Sequence, residues 1–383
     1  MSTALANARR VVVKIGSALL IDETAGIPRQ DWVDALAADL ARMREAGGEL
    51  VIVSSGAIAL GRRVLDLPPG ALRLDESQAA AAAGQIRLAS AYETALAAHN
   101  IPVAQVLLTL SDSEDRRRYL NARGTLSTWV QRGAVPVINE NDTVATEEIR
   151  FGDNDRLAAR VAAMIGADCL VLLSDIDGLY TADPRHDGQA EFLPHVNGID
   201  RRVEEMAGEA GAYGSGGMVT KLAAAKIALG AGCHMVIGNG RQPHALDRLR
   251  TGADRCTWFE ATTAPHTAYK QWIAGSLDPK GMLRVDAGAV SALRDGRSLL
   301  AAGVETASGQ FGRGDAVIIA DQTGRELARG IVAYDLAEAR RICRHKTSEL
   351  EAVLGYPGRG AMVHRDDLVI TGLPIEQDAA FEN

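Results

Sequence analysis

Aromatic side chains make up only 4% of this 383-residue chain, and cysteine occurs four times. So few rings argue against the stacked aromatic platforms that hold single-stranded nucleic acid. Cys169, Cys233, Cys256 and Cys343 form no Cys-x-x-Cys pair, and Cys343 and His345 stand too close in sequence for a convincing metal-ligand pair. They are expected to be reduced packing residues of a cytoplasmic protein. No apolar run approaches the roughly 18 residues that a membrane-spanning helix needs. Arg9-Arg10 precedes the apolar Val11-Val12-Val13 as a leader's charges would, but Lys14 interrupts the run, and no targeting segment is expected. Positive charge is not in surplus either: 41 Lys and Arg against 49 Asp and Glu give −8. That leaves no global footprint for nucleic acid. An anionic substrate has to be met by a few locally placed cations.

What is present is an ordinary globular composition, 47% apolar and 23% charged, in a chain too long for one average domain. Apolar runs at 11–15, 50–54, 102–108, 135–139, 169–174 and 234–237 alternate with helix-period segments at 30–45, 76–98, 116–131, 155–165 and 219–229. Near-continuous apolar strands separated by helices predict an α/β fold, a mostly parallel sheet with helices on both faces. Beyond Gly275 and Asp278-Pro279 come short runs at 281–285, 316–320, 326–332 and 360–364. They read as a small β-rich domain. The expected division is a catalytic domain over 1–265, the β-rich domain over 278–367 and a loose tail over 368–383.

In a parallel sheet, ligands gather beyond the carboxyl ends of the strands. Lys14 sits at such an end, followed by Gly16, which permits a phosphate near the backbone. A buried lysine is costly unless an anion meets it; otherwise its stem lies along an edge with the ammonium in water. Ser54-Ser55-Gly56-Ala57 follows the second strand and suits either a helix cap or an anion site. Around the fourth strand's end crowd Asn139-Glu140-Asn141-Asp142 and Phe151-Gly152-Asp153-Asn154-Asp155. Turn chemistry alone accommodates such residues. Placed at a ligand site, Asp142 suits an ammonium, Asn154 a carboxylate, and Asp155 a pair of lysines. The turn from Ser174-Asp175 to Asp183-Pro184 carries Tyr180 and several acids, and either lines a nucleotide base or merely connects elements. Gly214-Ser215-Gly216-Gly217-Met218-Val219-Thr220-Lys221 is the strongest local signal. A glycine-rich loop entering a helix offers unhindered N–H groups to phosphates, although it matches neither the Walker nor the dinucleotide pattern. Lys221 falls where the helix dipole disfavours a cation, which makes sense beside a phosphate; a solvated lysine is the alternative.

Together Val13-Lys14-Ile15-Gly16-Ser17, Val53-Ser54-Ser55-Gly56-Ala57-Ile58, Leu120-Asn121-Ala122-Arg123 and the segments 136–142, 152–155, 178–185 and 216–221 resemble the amino-acid kinase family, in that family's order. Within it, they are most similar to the branch acting on L-glutamate. The β-rich domain resembles the PUA module, a small barrel, notably in Leu354-Gly355-Tyr356 and in Val363-His364-Arg365-Asp366-Asp367. Ser174, where Thr is common, and Val219, where Ser is common, depart from the pattern. The resemblance implies phosphoryl transfer from ATP to the side-chain carboxylate of L-glutamate, the first step towards proline. It implies that Lys14 and Lys221 meet the transferring phosphoryl and that Asp155 orients both. Ser55, Asp142 and Asn154 would hold glutamate. Lys14, Ser174, Asp175, Ser215, Gly216, Gly217, Met218, Val219, Thr220 and Lys221 would hold ATP. Mg2+ would be bound mainly through the ATP phosphates, with no protein metal site. Homo-oligomers and feedback inhibition by proline are implied in the same way. The chemistry agrees, because carboxylate and γ-phosphate are both anionic and catalysis reduces to positioning and charge neutralisation. Two alternatives stay open: a kinase of another small acid, N-acetylglutamate or aspartate, and a PUA-type RNA-binding protein. A free ammonium on Asp142 favours the unacetylated acid. RNA is disfavoured, since residues 281–383 hold 12 Lys and Arg against 15 Asp and Glu. Their one basic cluster, Arg340-Arg341-Arg344-Lys346, also suits a solvated helix face.

Overall fold

The structure, a computed structural model, describes residues 3–22, 24–144, 153–207, 217–276 and 278–372. The chain divides into two compact units, Met1–Pro265 and His266–Asn383.

An eight-stranded sheet organises the first unit. Its elements run β1 (Arg10–Ile15), α1 (Gln30–Glu45), β2 (Glu49–Ser54), α2 (Ala57–Val64), α3 (Leu74–Ala97), β3 (Val103–Leu108), α4 (Arg116–Gln131) and β4 (Val135–Glu140). They continue with α5 (Asp153–Ile165), β5 (Cys169–Ser174), β6 (His195–Val196), α6 (Met218–Gly230), β7 (His234–Asn239) and β8 (Cys256–Phe259). In space the strands lie in the order β6-β8-β7-β5-β1-β2-β4-β3. The six from β7 to β3 are mutually parallel, and β8 runs antiparallel at the β7 edge. Each apolar run serves two cores, because alternate residues face opposite sides. Val11, Val13 and Ile15 pack with Leu36 and Leu40 of α1 and Leu88 and Leu96 of α3. Val12 faces the other way, onto Leu126 of α4, Leu157 and Val161 of α5 and Leu222 of α6. Lys14 shares the face of Val12, so its side chain is directed to the α5 and α6 side. The expected helix start at Glu76 moves back to Leu74, because the Glu76 carboxylate accepts from the Arg73 N–H and caps the first turn.

Two helices of this unit touch backbone to backbone. A Cβ on Gly61 of α2 would lie 1.7 Å from the Ala80 oxygen, and one on Gly84 of α3 1.8 Å from the Ala57 oxygen. Glycine at both positions lets α3 rise against the first turn of α2, just behind the carboxyl end of β2.

The second unit is built on β9 (Gly281–Val285), β10 (Val304–Gly309), β11 (Ala316–Ala320), β12 (Glu326–Val332) and β13 (Val363–Ile370). Their order is β10-β9-β11-β12-β13, antiparallel except for the β9–β11 pair. Leu283, Val317, Ile319, Tyr334, Ile342 and Val363 form its core. Two sequence expectations are corrected here. The strand placed at 360–364 begins at Val363 and continues to Ile370. Leu368–Ile370, assigned to the loose tail, belong to the sheet: Leu368 pairs with Gly330 and Ile370 with Ala328. The run His364-Arg365-Asp366-Asp367 lies on an edge strand, where charge is tolerated. Residues 373–383 of that tail lie outside the described residues. β10 was not foreseen, because Val-Glu-Thr-Ala-Ser-Gly carries little apolar signal. In the basic cluster, Arg340 donates to the Ala307 oxygen and Arg341 to the Val353 oxygen, so both guanidinium groups bond within the unit. Among the described residues no helix is long and apolar enough to cross a membrane, and all four cysteines are free.

Candidate active site

Three buried charges meet at the carboxyl end of β1. Lys14 Nζ lies 2.6 Å from Asp155 Oδ1, and Lys221 Nζ lies 3.1 Å from Asp155 Oδ2. Relative exposures are 7%, 6% and 0% for Lys14, Lys221 and Asp155, so water screens the group little. Asp155 occupies the first turn of α5, where the helix dipole favours a negative charge. Burial alone raises its pKa, but the two ammonium groups and their hydrogen bonds outweigh that effect and hold the carboxyl below its ordinary value. Asp155 is therefore a carboxylate, shared between the side-chain nitrogens of two lysines. Thr220 Oγ1 adds contacts at 3.1 Å to Asp155 Oδ2 and 2.8 Å to the Gly217 oxygen. Part of the counter-charge that Lys221 demands against its own helix dipole thus comes from Asp155. The surplus positive charge is what remains for an anionic ligand.

Beside the triad lies a chain of polar side chains. Asn154 Nδ2 donates to Ser55 Oγ at 2.8 Å and to Asn139 Oδ1 at 3.1 Å, and Asn139 Nδ2 donates to Gln85 Oε1 at 2.9 Å. Both hydrogens of the Asn154 amide are thereby used, and its Oδ1 is buried with no hydrogen-bond partner among the described residues. Asn154 consequently presents an acceptor. A carboxylate partner, the expectation from sequence, would need the nitrogen that is already committed. Ser55 is held by its N–H on the Ile15 oxygen, at 3.1 Å. Gly56 follows at φ +118, and a Cβ there would meet Ile21 Cδ1 at 2.6 Å, so the turn into α2 requires glycine. Behind it, Ser54 Oγ and Tyr92 Oη are 2.9 Å apart, and burial keeps the phenol neutral by raising its pKa. Asp142 opens the short 3-10 turn after β4 and is 8% exposed. Burial pushes its pKa up to about 6, and no ion-pair partner faces it among the described residues. A buried carboxylate without a cation is a site for one.

At the end of β5, Ser174 Oγ donates to Asp175 Oδ1 at 3.2 Å, and the Gly240 N–H donates to the Ser174 oxygen at 2.7 Å. Asp175 faces Arg241 at 3.9 Å. The following turn is fastened by Arg255, whose guanidinium lies 4.9 Å from the Phe192 ring centre and bonds to Asp177 and Tyr180. Gly217 caps α6, and Met218, Val219, Thr220 and Lys221 form its first turn, with Val219 exposed. Ser215 and Gly216 lie outside the described residues, as do Gly214, Phe151 and Gly152. The described contacts therefore join Lys14, Asp155, Lys221 and Thr220 in one group and Ser55 and Asn154 in another, while Ser174 and Asp175 meet neither group directly. Gln85, the Asn139 link and Arg255 were missed from the sequence. The available signal for Gln85 was a polar residue directly after glycine in an alanine-rich helix.

Comparison with known proteins gives two family matches: residues 9–239 match the model of the amino acid kinase family, and residues 281–354 that of the PUA domain. The chain is 59% identical to the glutamate 5-kinase of Paramagnetospirillum magneticum over 369 residues, covering 96% of this chain and 99% of that protein. It is equally 59% identical to glutamate 5-kinase 1 of Rhizobium meliloti, covering 96% and 93%. With the glutamate 5-kinase of Agrobacterium fabrum the identity is 57%, covering 97% and 95%.

Proposed function

The chain belongs to the amino acid kinase family, and from that premise we propose that it transfers the γ-phosphoryl group of ATP to the side-chain carboxylate of L-glutamate. The products are L-glutamyl 5-phosphate and ADP, and the reaction is a step of proline biosynthesis. The observation that carries the reading is the buried Lys14–Asp155–Lys221 triad, with separations of 2.6 and 3.1 Å.

A carboxylate oxygen attacks the γ-phosphorus, and the bond to the β,γ-bridging oxygen breaks with its electron pair leaving on ADP. The carboxylate is already deprotonated at neutral pH, so no general base is required. Every participant is anionic, and the protein's task is to place the reactants in line and neutralise charge. Lys14 and Lys221 supply that charge at fixed positions, and Asp155 holds both ammonium groups between turnovers. Thr220, through its bond to Asp155, helps to fix the carboxylate. Asp142 and Asn154 Oδ1 take the α-ammonium of glutamate, and Ser55 lies at the substrate turn. ATP is held by Lys14, Ser174, Asp175 and the loop residues Ser215, Gly216, Gly217, Met218, Val219, Thr220 and Lys221. Mg2+ would be bound mainly through the ATP phosphates, as the family resemblance implies. In this reading residues 1–265 carry catalysis and 278–367 form the PUA-like domain. Homo-oligomers, inhibition by proline and a cytoplasmic location are parts of the proposal that rest on the family resemblance.

The test is ADP release from MgATP with L-glutamate, N-acetylglutamate, L-aspartate or carbamate, with hydroxylamine present to trap acyl phosphates. Glutamate-dependent release with a matching hydroxamate is expected. Turnover with another acid alone would overturn the substrate assignment.

A further inference from the structure

One amide behind the acid-binding half has no part in the reaction described above. Gln85 is 7% exposed, its Oε1 accepts from Asn139 Nδ2, and its Nε2 has no hydrogen-bond partner among the described residues. A buried donor left unpaired is costly, so such an atom points to a group that arrives from outside the chain. Asn154 Oδ1 is a second unpaired atom on the same network, and it is an acceptor. The two are linked through Asn139. Gln85 Oε1 turns the Asn139 nitrogen toward itself and the Asn139 oxygen toward Asn154. That oxygen in turn draws the Asn154 nitrogen inward and leaves its oxygen open. The backbone places Gln85 for this task. Gly84 lies against the Ala57 carbonyl, so the next residue of α3 is carried up behind the Ser55-Gly56 turn, and the same helix packs on the turn that begins with Asp142.

One open donor and one open acceptor on a single network, with a buried carboxylate at the same strand end, match the head of an α-amino acid. The ammonium fits Asp142 and Asn154 Oδ1, and the α-carboxylate fits a donor. We infer that Gln85 is a substrate-binding and specificity residue, whose Nε2 donates to the α-carboxylate while its Oε1 fixes the amides that present Asn154 Oδ1 to the ammonium. This inference rests on the glutamate reading given under Proposed function.

Two substitutions separate the roles. Gln85→Glu keeps an acceptor for Asn139 but replaces the donor with a carboxylate; Gln85→Met removes both groups at similar volume. The assay is ADP release at varied glutamate, with 4-aminobutyrate, which lacks the α-carboxylate, as competitor. In both variants the glutamate KM is expected to rise about ten- to a hundredfold, the worth of a hydrogen bond to a charged group. The ATP KM is expected to stay within about twofold in both variants, and the 4-aminobutyrate Ki within about twofold in Gln85→Glu, which keeps the acceptor for Asn139. In Gln85→Met that Ki rises less than the glutamate KM, because only the ammonium contact through Asn154 is disturbed for that ligand. If Gln85→Glu does not fold, Gln85→Met carries the test. An unchanged glutamate KM in Gln85→Met overturns the assignment, and so does a 4-aminobutyrate Ki that rises in step with the glutamate KM, because a merely structural defect would move both. A parent enzyme idle with glutamate but active with another acid sinks the glutamate reading itself. A parent active with glutamate, paired with an unaffected Gln85→Met variant, sinks the Gln85 assignment alone.

Discussion

Replacing Asp142 by asparagine is expected to stabilise the protein while it impairs the enzyme. Burial disfavours the charged form of this carboxyl and, with no compensating cation among the described residues, pushes its pKa up to about 6 from an ordinary 3.8. The sign follows from linkage. A raised carboxyl pKa costs nothing below pH 3.8, begins to destabilise the fold as pH rises above it, and has its full effect above about pH 6. A difference of about two pH units corresponds to about 3 kcal/mol at pH 7, and to roughly half of that at pH 5. Asparagine, of the same shape and without the charge, removes the penalty. For a unit of this size the gain amounts to roughly 6–10 °C in melting temperature at pH 7. Thermal melts of parent and Asp142→Asn at pH 7 and pH 5, without substrate, read the effect directly. The difference should shrink as the pH falls. A melting temperature unchanged or lowered at pH 7 would refute the claim that Asp142 is a buried, uncompensated charge. In the same protein the glutamate KM is expected to rise at least about tenfold, since the ammonium loses its counter-charge.

Three further perturbations follow from the same geometry. The glutamate KM of the parent is expected to climb as pH falls through about 6, where Asp142 takes up its proton, and a KM flat between pH 5 and 7.5 would count against its role. Lys221→Ala should lower kcat by roughly a hundred- to a thousandfold with a much smaller change in glutamate KM, and steady-state kinetics showing the reverse split would remove Lys221 from the transition state. Gly84→Ala forces a methyl group to 1.8 Å from the Ala57 oxygen, and is expected to destabilise the first unit by at least about 3 kcal/mol, measured by urea unfolding; a near-neutral result would contradict the backbone contact.

The sheet was legible because parallel strands covered on both faces carry long β-branched and aliphatic runs, as Val11-Val12-Val13 and Cys169–Ser174 do. Lys14 and Asp155 were legible for the opposite reason: each breaks an apolar pattern where a charge is expensive. Gln85 was not, since a glutamine on a helix is unremarkable until the glycine before it is seen pressed against another helix. β10 and the extent of β13 escaped because edge strands of a small sheet tolerate polar residues that read as turns. The sequence names the amide of Asn154 but not which end of it Ser55 and Asn139 engage.

The single carboxylate of Asp155 has a consequence for how such a site can diversify. Its two oxygens each hold a different lysine, so the spacing between the ammonium groups is set by one side chain and cannot be adjusted at one lysine alone. A shift of that carboxylate moves both ammonium groups together, whereas Asn139, Asn154 and Asp142 lie outside the two lysine contacts and can change without resetting that spacing.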